Sequence, residues 1–172
     1  MASTYSQYKI ELIGTGEQAG TWGTTTNSNF GSATPGTYQG FEQAIGGKAT
    51  IDLSAGGTIA LTLTNSNAAQ NARALFFDLG GSPSGAVTLQ VPAIQKSYIV
   101  KNGSGQTVTV EISGGTGVAV PNGSTTVVYA DGTNVVTALN YAPALTLGAA
   151  LPIASGGTGS TSTTFVDLTT NV

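Results

Sequence analysis

From residue 86 onward, short apolar runs alternate with turn signals. Ala86–Val91, Ser97–Lys101, Thr107–Ile112, Val118–Val120, Thr126–Ala130 and Asn134–Ala138 each read as a strand. Asn102-Gly103, Gly114-Gly115, Asn122-Gly123 and Asp131-Gly132 lie between them. Asn-Gly and Asp-Gly accept the positive φ angles of tight turns. The strand starts fall 8 to 11 residues apart, the spacing of a sandwich or barrel. The pattern predicts an all-β fold: an antiparallel β-sandwich or barrel-like meander, with a Gly/Thr-rich N-terminal arm and an extended C-terminal tail.

Upstream, Tyr8–Ile13 alternates, with Ile10 and Leu12 on one face. The Gly/Thr-rich stretch after it reads as an arm, with Trp22 as a plug into the body or a neighbouring chain. Tyr38, Phe41 and Ile45 recur at helical spacing before Gly46-Gly47, which predicts a short helix with a glycine C-cap. Lys48–Leu53 and Thr58–Thr64 alternate around Ser54–Gly57 and predict a hairpin. Residues 65–72 form a polar link with one helical turn. Arg73–Leu79 reads as the most apolar strand, and 80–85 as a turn-rich loop. After Leu139 the chain becomes small and extended, with Pro143 and Pro152, and Phe165–Leu168 is a last strand or anchor. The expected divisions are 1–47, 48–140 and 141–172.

Composition changes the picture in one respect. Gly, Thr, Ser and Asn make up about 45 % of the 172 residues, while Leu, Ile, Val and Phe make up about 23 %. So few bulky apolar groups suggest disorder, but disordered chains are usually rich in charge, and only 8 % of this one is charged. An ordered β protein with a lean core, completed by neighbouring copies, is the expectation that remains. The net charge is −3. The five cations, Lys9, Lys48, Arg73, Lys96 and Lys101, do not cluster, which argues against nucleic-acid binding. No apolar run is long enough for a membrane span, and residues 1–7 have no apolar signal core.

Histidine and cysteine are absent, so imidazole-assisted nucleophiles and imidazole or thiolate zinc sites are excluded. Carboxylates remain: Glu11, Glu17, Glu42, Asp52, Asp78, Glu111, Asp131 and Asp167. Their positions suit outward strand faces and turns better than a glycosidase pair or a calcium loop. No catalytic residue, cofactor or metal site is expected. Gly14-x-Gly16-x-x-Ala19 matches a dinucleotide fingerprint without the βαβ unit that makes it work. Asn102-Gly-Ser104 and Asn122-Gly-Ser124 match glycosylation sequons, but Asn-Gly is also what a turn requires. Tyr98 and Tyr129 could belong to a ligand-facing aromatic surface, but both lie in strands, where cross-strand packing is the favoured reading.

Three stretches carry a resemblance. Lys9–Phe30 contains Gly20-Thr-Trp22-Gly23-Thr-Thr-Thr-Asn27-Ser-Asn29, Val91–Leu139 ends in Tyr129-Ala-Asp-Gly-Thr-Asn-Val-Val136, and Leu151-Pro-Ile-Ala-Ser-Gly-Gly-Thr-Gly159 is linker-like. Together they resemble tail-fibre and related virion structural proteins of bacteriophages, in particular marine and cyanobacterial ones. The resemblance implies a non-enzymatic virion component made in the host cytoplasm: a short tail fibre or fibre-like appendage contributing to particle assembly and host attachment. It also implies a homotrimer, with other virion proteins and host surface polysaccharide as partners. Trp22, Phe30, Phe41 and Phe165 are the candidate oligomer or assembly contacts. A long shaft and a large receptor-binding tip are not expected, because the sequence stops soon after the linker. A lectin-like module contacting glycans through loops 80–85, 102–106 and 113–117, a capsid decoration or cement protein, and a polysaccharide depolymerase are the rival readings.

Overall fold

A computed structural model describes residues 2–139, which form one unit. The tail 141–172, the boundary near Tyr141 and Phe165 lie outside the described residues. A two-stranded antiparallel pair, β1 (Thr4–Tyr5) with β2 (Glu11–Leu12), comes first, followed by helices α1 (Trp22–Phe30) and α2 (Gly40–Gly46). Nine strands follow: β3 (Lys48–Asp52), β4 (Gly57–Ala60), β5 (Phe76–Gly80), β6 (Val87–Val91), β7 (Gln95–Asn102), β8 (Val108–Ile112), β9 (Gly117–Val120), β10 (Thr125–Asp131) and β11 (Val135–Thr137). A 3-10 turn, Asn71–Arg73, precedes β5. Among the described residues strand outweighs helix, 36 % to 14 %, so the all-β class holds in its coarse form.

The pairing differs from the expected meander. One sheet runs β11-β10-β7-β5-β3 and the other β4-β6-β8-β9, and neither closes. From β3 to β8, successive strands alternate between the two sheets, and β3, β4, β5 and β6 each pair in parallel with the strand two places on. Three two-strand rungs are therefore stacked, with Lys48 level with Phe76 and Phe76 level with Ile99. Antiparallel pairing is confined to β8–β9, β7–β10 and β10–β11 in these sheets. The predicted hairpin at 48–64 is instead a corner that hands the chain from one sheet to the other. Turn chemistry marks where a strand ends; it does not say whether the next strand pairs with the last or crosses to the facing sheet.

Alternation does set the core. Ala49, Ile51, Phe77, Leu79, Tyr98, Val100 and Val128 point inward from the first sheet. Val87, Leu89, Val91, Val108, Val110, Ile112 and Val120 meet them from the second, in one cluster. Each fully buried aliphatic side chain contributes about 1.5–3 kcal/mol of transfer free energy. These side chains are buried within the single chain, so among the described residues this cluster needs no neighbouring copy to close. Small strand residues and tight corners let a few aliphatic groups suffice.

Local expectations changed near the N-terminus. The strand predicted over 8–13 shrinks to Glu11–Leu12, because Lys9 adopts φ +57° in a turn closed by Lys9 N–H to Ser6 O at 2.9 Å. Ile10 is buried while Leu12 stays exposed. The predicted arm contains α1, whose Thr-rich sequence has low intrinsic helix propensity and no buried residue. The helix predicted at 38–45 is α2, but its C-cap Gly47 has φ −71°. It is not a left-handed cap. The strand expected from Arg73 begins at Phe76, because Arg73 ends the 3-10 turn.

Candidate functional site

The helix pair carries three of the candidate contacts. Asn29 at the end of α1 donates its amide to Glu11 O at 2.8 Å. Gly40 opens α2 at φ +55°, where a Cβ would collide with the Asn29 carbonyl. Only glycine allows the two helices this approach. Glu42 then accepts the Ser32 N–H at 3.2 Å, and Gln39 donates to Gly31 O at 2.8 Å, fixing the connection. The Phe30 and Phe41 rings lie 6.3 Å apart and tilted. They line a shallow groove with Asn27, Ala33, Glu42 and Ile45. Trp22 is 61 % exposed, Phe30 64 %, Phe41 45 % and Ile45 74 %. Trp22 does not plug its own body. Four bulky apolar groups stand in solvent on two short helices. Phe30, Phe41 and Ile45 gather at the groove, and exposed apolar groups gathered in this way mark contact surfaces.

The tyrosines are placed differently from the expected ligand-facing pair. Tyr98 has no exposure: it stacks on Phe77 at 4.7 Å and its hydroxyl donates to Ala72 O at 3.4 Å. Burial, with the neighbouring Tyr8 phenol second, pushes its pKa well above the ordinary value. Tyr129 is half-buried on the other face of the same sheet, level with Ser97. The period-two pleat puts consecutive cross-strand positions on opposite faces, so the two rings cannot form one binding surface.

Two cations that sequence reading left as scattered charges are interior. Arg73 has no exposure and Lys96 is 5 % exposed. The Arg73 guanidinium donates to five backbone carbonyls and meets no carboxylate among the described residues, and desolvation lowers its pKa. Lys96 Nζ donates to Ala44 O of α2 at 3.1 Å and lies 5.5 and 5.2 Å from the Tyr8 and Tyr98 ring centres. Burial lowers its pKa to about 8. Neither has a spacing signal. Lys96 falls on the inward parity of β7 with Tyr98 and Val100, which was the available clue.

The described carboxylates all serve local structure. Asp78 bridges Lys48 and Lys101, each at 3.3 Å, and hydrogen bonds from Lys101 and then Lys48 lower its pKa. Asp52 accepts from the Ser54 hydroxyl and N–H, and Asp131 from the Asn134 and Thr133 N–H groups. Glu11 holds Gln18 and Asn67, Glu17 holds Ser3, and Glu111 accepts from Gln90. Among the described residues no three acidic groups gather at one point. No helix there is long and apolar enough to cross a membrane.

Compared with known proteins, the chain matches no family model, no curated protein and no solved structure. The class in hand is therefore defined by the geometry: a two-sheet β protein of stacked rungs carrying a solvent-facing aromatic helix pair.

Proposed function

We propose that this chain is a non-enzymatic structural component of a bacteriophage particle, a short tail fibre or fibre-like appendage, that attaches to its virion neighbours through the α1–α2 pair. The observation that carries the reading is the solvent exposure of Trp22, Phe30, Phe41 and Ile45 on that pair. Trp22 lies within, and Phe30 just after, the G-x-W-G-x-x-x-N-x-N stretch on which the resemblance rests. The carboxylates support it too, since each described one is engaged in local structure. A threefold assembly and contact with host polysaccharide rest on the resemblance, because the core needs no third copy. Tyr98 and Tyr129 cannot together serve the lectin-like reading, since they lie on opposite faces of one sheet.

Immunogold labelling of intact particles tests the proposal, with Phe30→Asp as the companion variant. Labelled tails, and reduced incorporation of Phe30→Asp, are the expected results, and label confined to the head favours the capsid decoration reading instead. Absence of the chain from purified particles, or reducing-sugar release from polysaccharide by the pure protein, overturns it.

A further inference from the structure

The two large sheets finish differently at their two sides. On one side the last strands, β9 and β11, are stitched together. Val135 N–H donates to Thr116 O at 2.9 Å. Asn134 Oδ1 accepts from the Thr116 N–H and hydroxyl at 2.8 and 2.9 Å. On the other side β3 and β4 are the edge strands, paired only with β5 and β6.

The ladders say which groups are left over. Phe76 N–H donates to Gly47 O and Leu53 N–H to Gly80 O, so the odd-numbered residues of β3 address β5. The N–H and C=O groups of Lys48, Thr50 and Asp52 point to the open side and take no backbone partner among the described residues. In β4, Leu61 N–H donates to Gln90 O, which leaves Thr58 and Ala60 facing the same way. An open pair of strand edges invites another strand.

The side chains select the partner. Lys48, Thr50 and Asp52 are exposed. Paired antiparallel with the β3 of a second copy, with Thr50 on the dyad, Lys48 of each chain falls opposite Asp52 of the other. Opposite charges facing across strands attract, whereas in-register parallel pairing sets Lys48 on Lys48. Lysine on an edge ordinarily keeps sheets apart. Here Asp52 at the mirrored position makes the strand complementary to its own reverse. In β4, antiparallel pairing through the open-side groups of Thr58 and Ala60 sets the half-buried Ile59 opposite Ile59 of the second copy. A twofold axis produces such a self-matching surface.

We propose that the open β3–β4 end is an isologous interface between two copies of this chain, joined by antiparallel β3–β3 and β4–β4 pairing into two continuous sheets. The inference does not depend on the virion role.

Light scattering of the full chain tests it. The expected mass is twice 17.1 kDa, or six times if a threefold contact also forms. Thr50→Pro removes an N–H that the fold does not use. It halves that mass, or raises the dissociation constant roughly tenfold or more through two lost hydrogen bonds, with circular dichroism unchanged. Lys48→Glu and Asp52→Lys chains each repel their own kind, and mixing them restores pairing. In the mixed pair the carboxylate introduced at position 48 faces the ammonium introduced at position 52, and the native Asp52 of one chain faces the native Lys48 of the other. A wild-type monomer or trimer, a Thr50→Pro protein of unchanged mass, or charge variants that do not pair on mixing overturns the proposal. If Thr50→Pro unfolds, the mixing experiment still decides. The virion reading fails separately, by absence from particles.

Discussion

Arg73 Nε donates to the Tyr8 carbonyl at 3.0 Å, a bond spanning 65 residues. The same guanidinium reaches Lys9 O at 3.1 Å, Ser66 O at 2.7 Å, Ala68 O at 2.9 Å and Asn67 O at 3.4 Å. All five N–H donors of the side chain are used. The N-terminal turn, the 66–68 loop and the start of β5 are thus held by one planar cation. Arg73→Met keeps the bulk and removes every donor. It should cost roughly 3 kcal/mol or more, because several part-buried carbonyls lose a charged donor at once. Urea unfolding measures it; a midpoint equal to wild type shows that the clamp is dispensable.

The enclosed Lys96 gives a pH signature. Its folded pKa is about 8 against an ordinary 10.5. Between those values the unfolded chain holds more protons than the folded one, so stability rises with pH. Tyr98 acts in the opposite sense above about pH 10, because its raised pKa makes the unfolded phenol ionise first. Stability should therefore climb by on the order of 2 kcal/mol from pH 8 and peak near pH 10. Denaturation at stepped pH follows the curve. Lys96→Met should flatten the rise, and a rise that survives in this variant assigns the effect to another group.

Asn102 joins two corners. Its side-chain amide donates to Gln106 O and Val120 O, each at 2.8 Å, and its Oδ1 accepts from Ser104 N–H and hydroxyl. It is 1 % exposed, so the sequon at 102–104 cannot carry a glycan in the folded state. Asn102→Asp places a carboxylate beside two carbonyl oxygens. The variant should lose roughly 2 kcal/mol or more at pH 7 and recover part of it as the carboxyl protonates in acid. Thermal melts at pH 7 and pH 4 read both effects, and equal losses at the two pH values contradict the assignment.

Strand positions were legible because alternation and turn residues are local. The runs at 86–91, 107–112 and 126–130 match β6, β8 and β10 to within a residue at each end. Helix α1 was not legible: Thr-Thr-Thr-Asn has no apolar stripe, and the helix is held by long-range contacts such as Asn29 to Glu11 O. Among the exposed aromatics, Trp22 drew notice as the one tryptophan, set in a Gly/Thr-rich stretch, while the exposure of Phe30 and Phe41 is a tertiary fact. Tyr98 packs inside against Phe77, in line with the cross-strand reading that sequence favoured over a ligand-facing one.

The order of residues by itself determined the all-β character, the corner positions and the absence of imidazole and thiol chemistry, since these depend on residue type and period. Only the tertiary structure decided that successive strands cross between sheets and pair in parallel, that Arg73 and Lys96 lie inside, and that β3 and β4 are left with an open edge. The reason is the same in each case. A corner looks alike in sequence whether the chain turns back beside itself or crosses to the opposite layer. That choice is made by which distant apolar faces can be buried together.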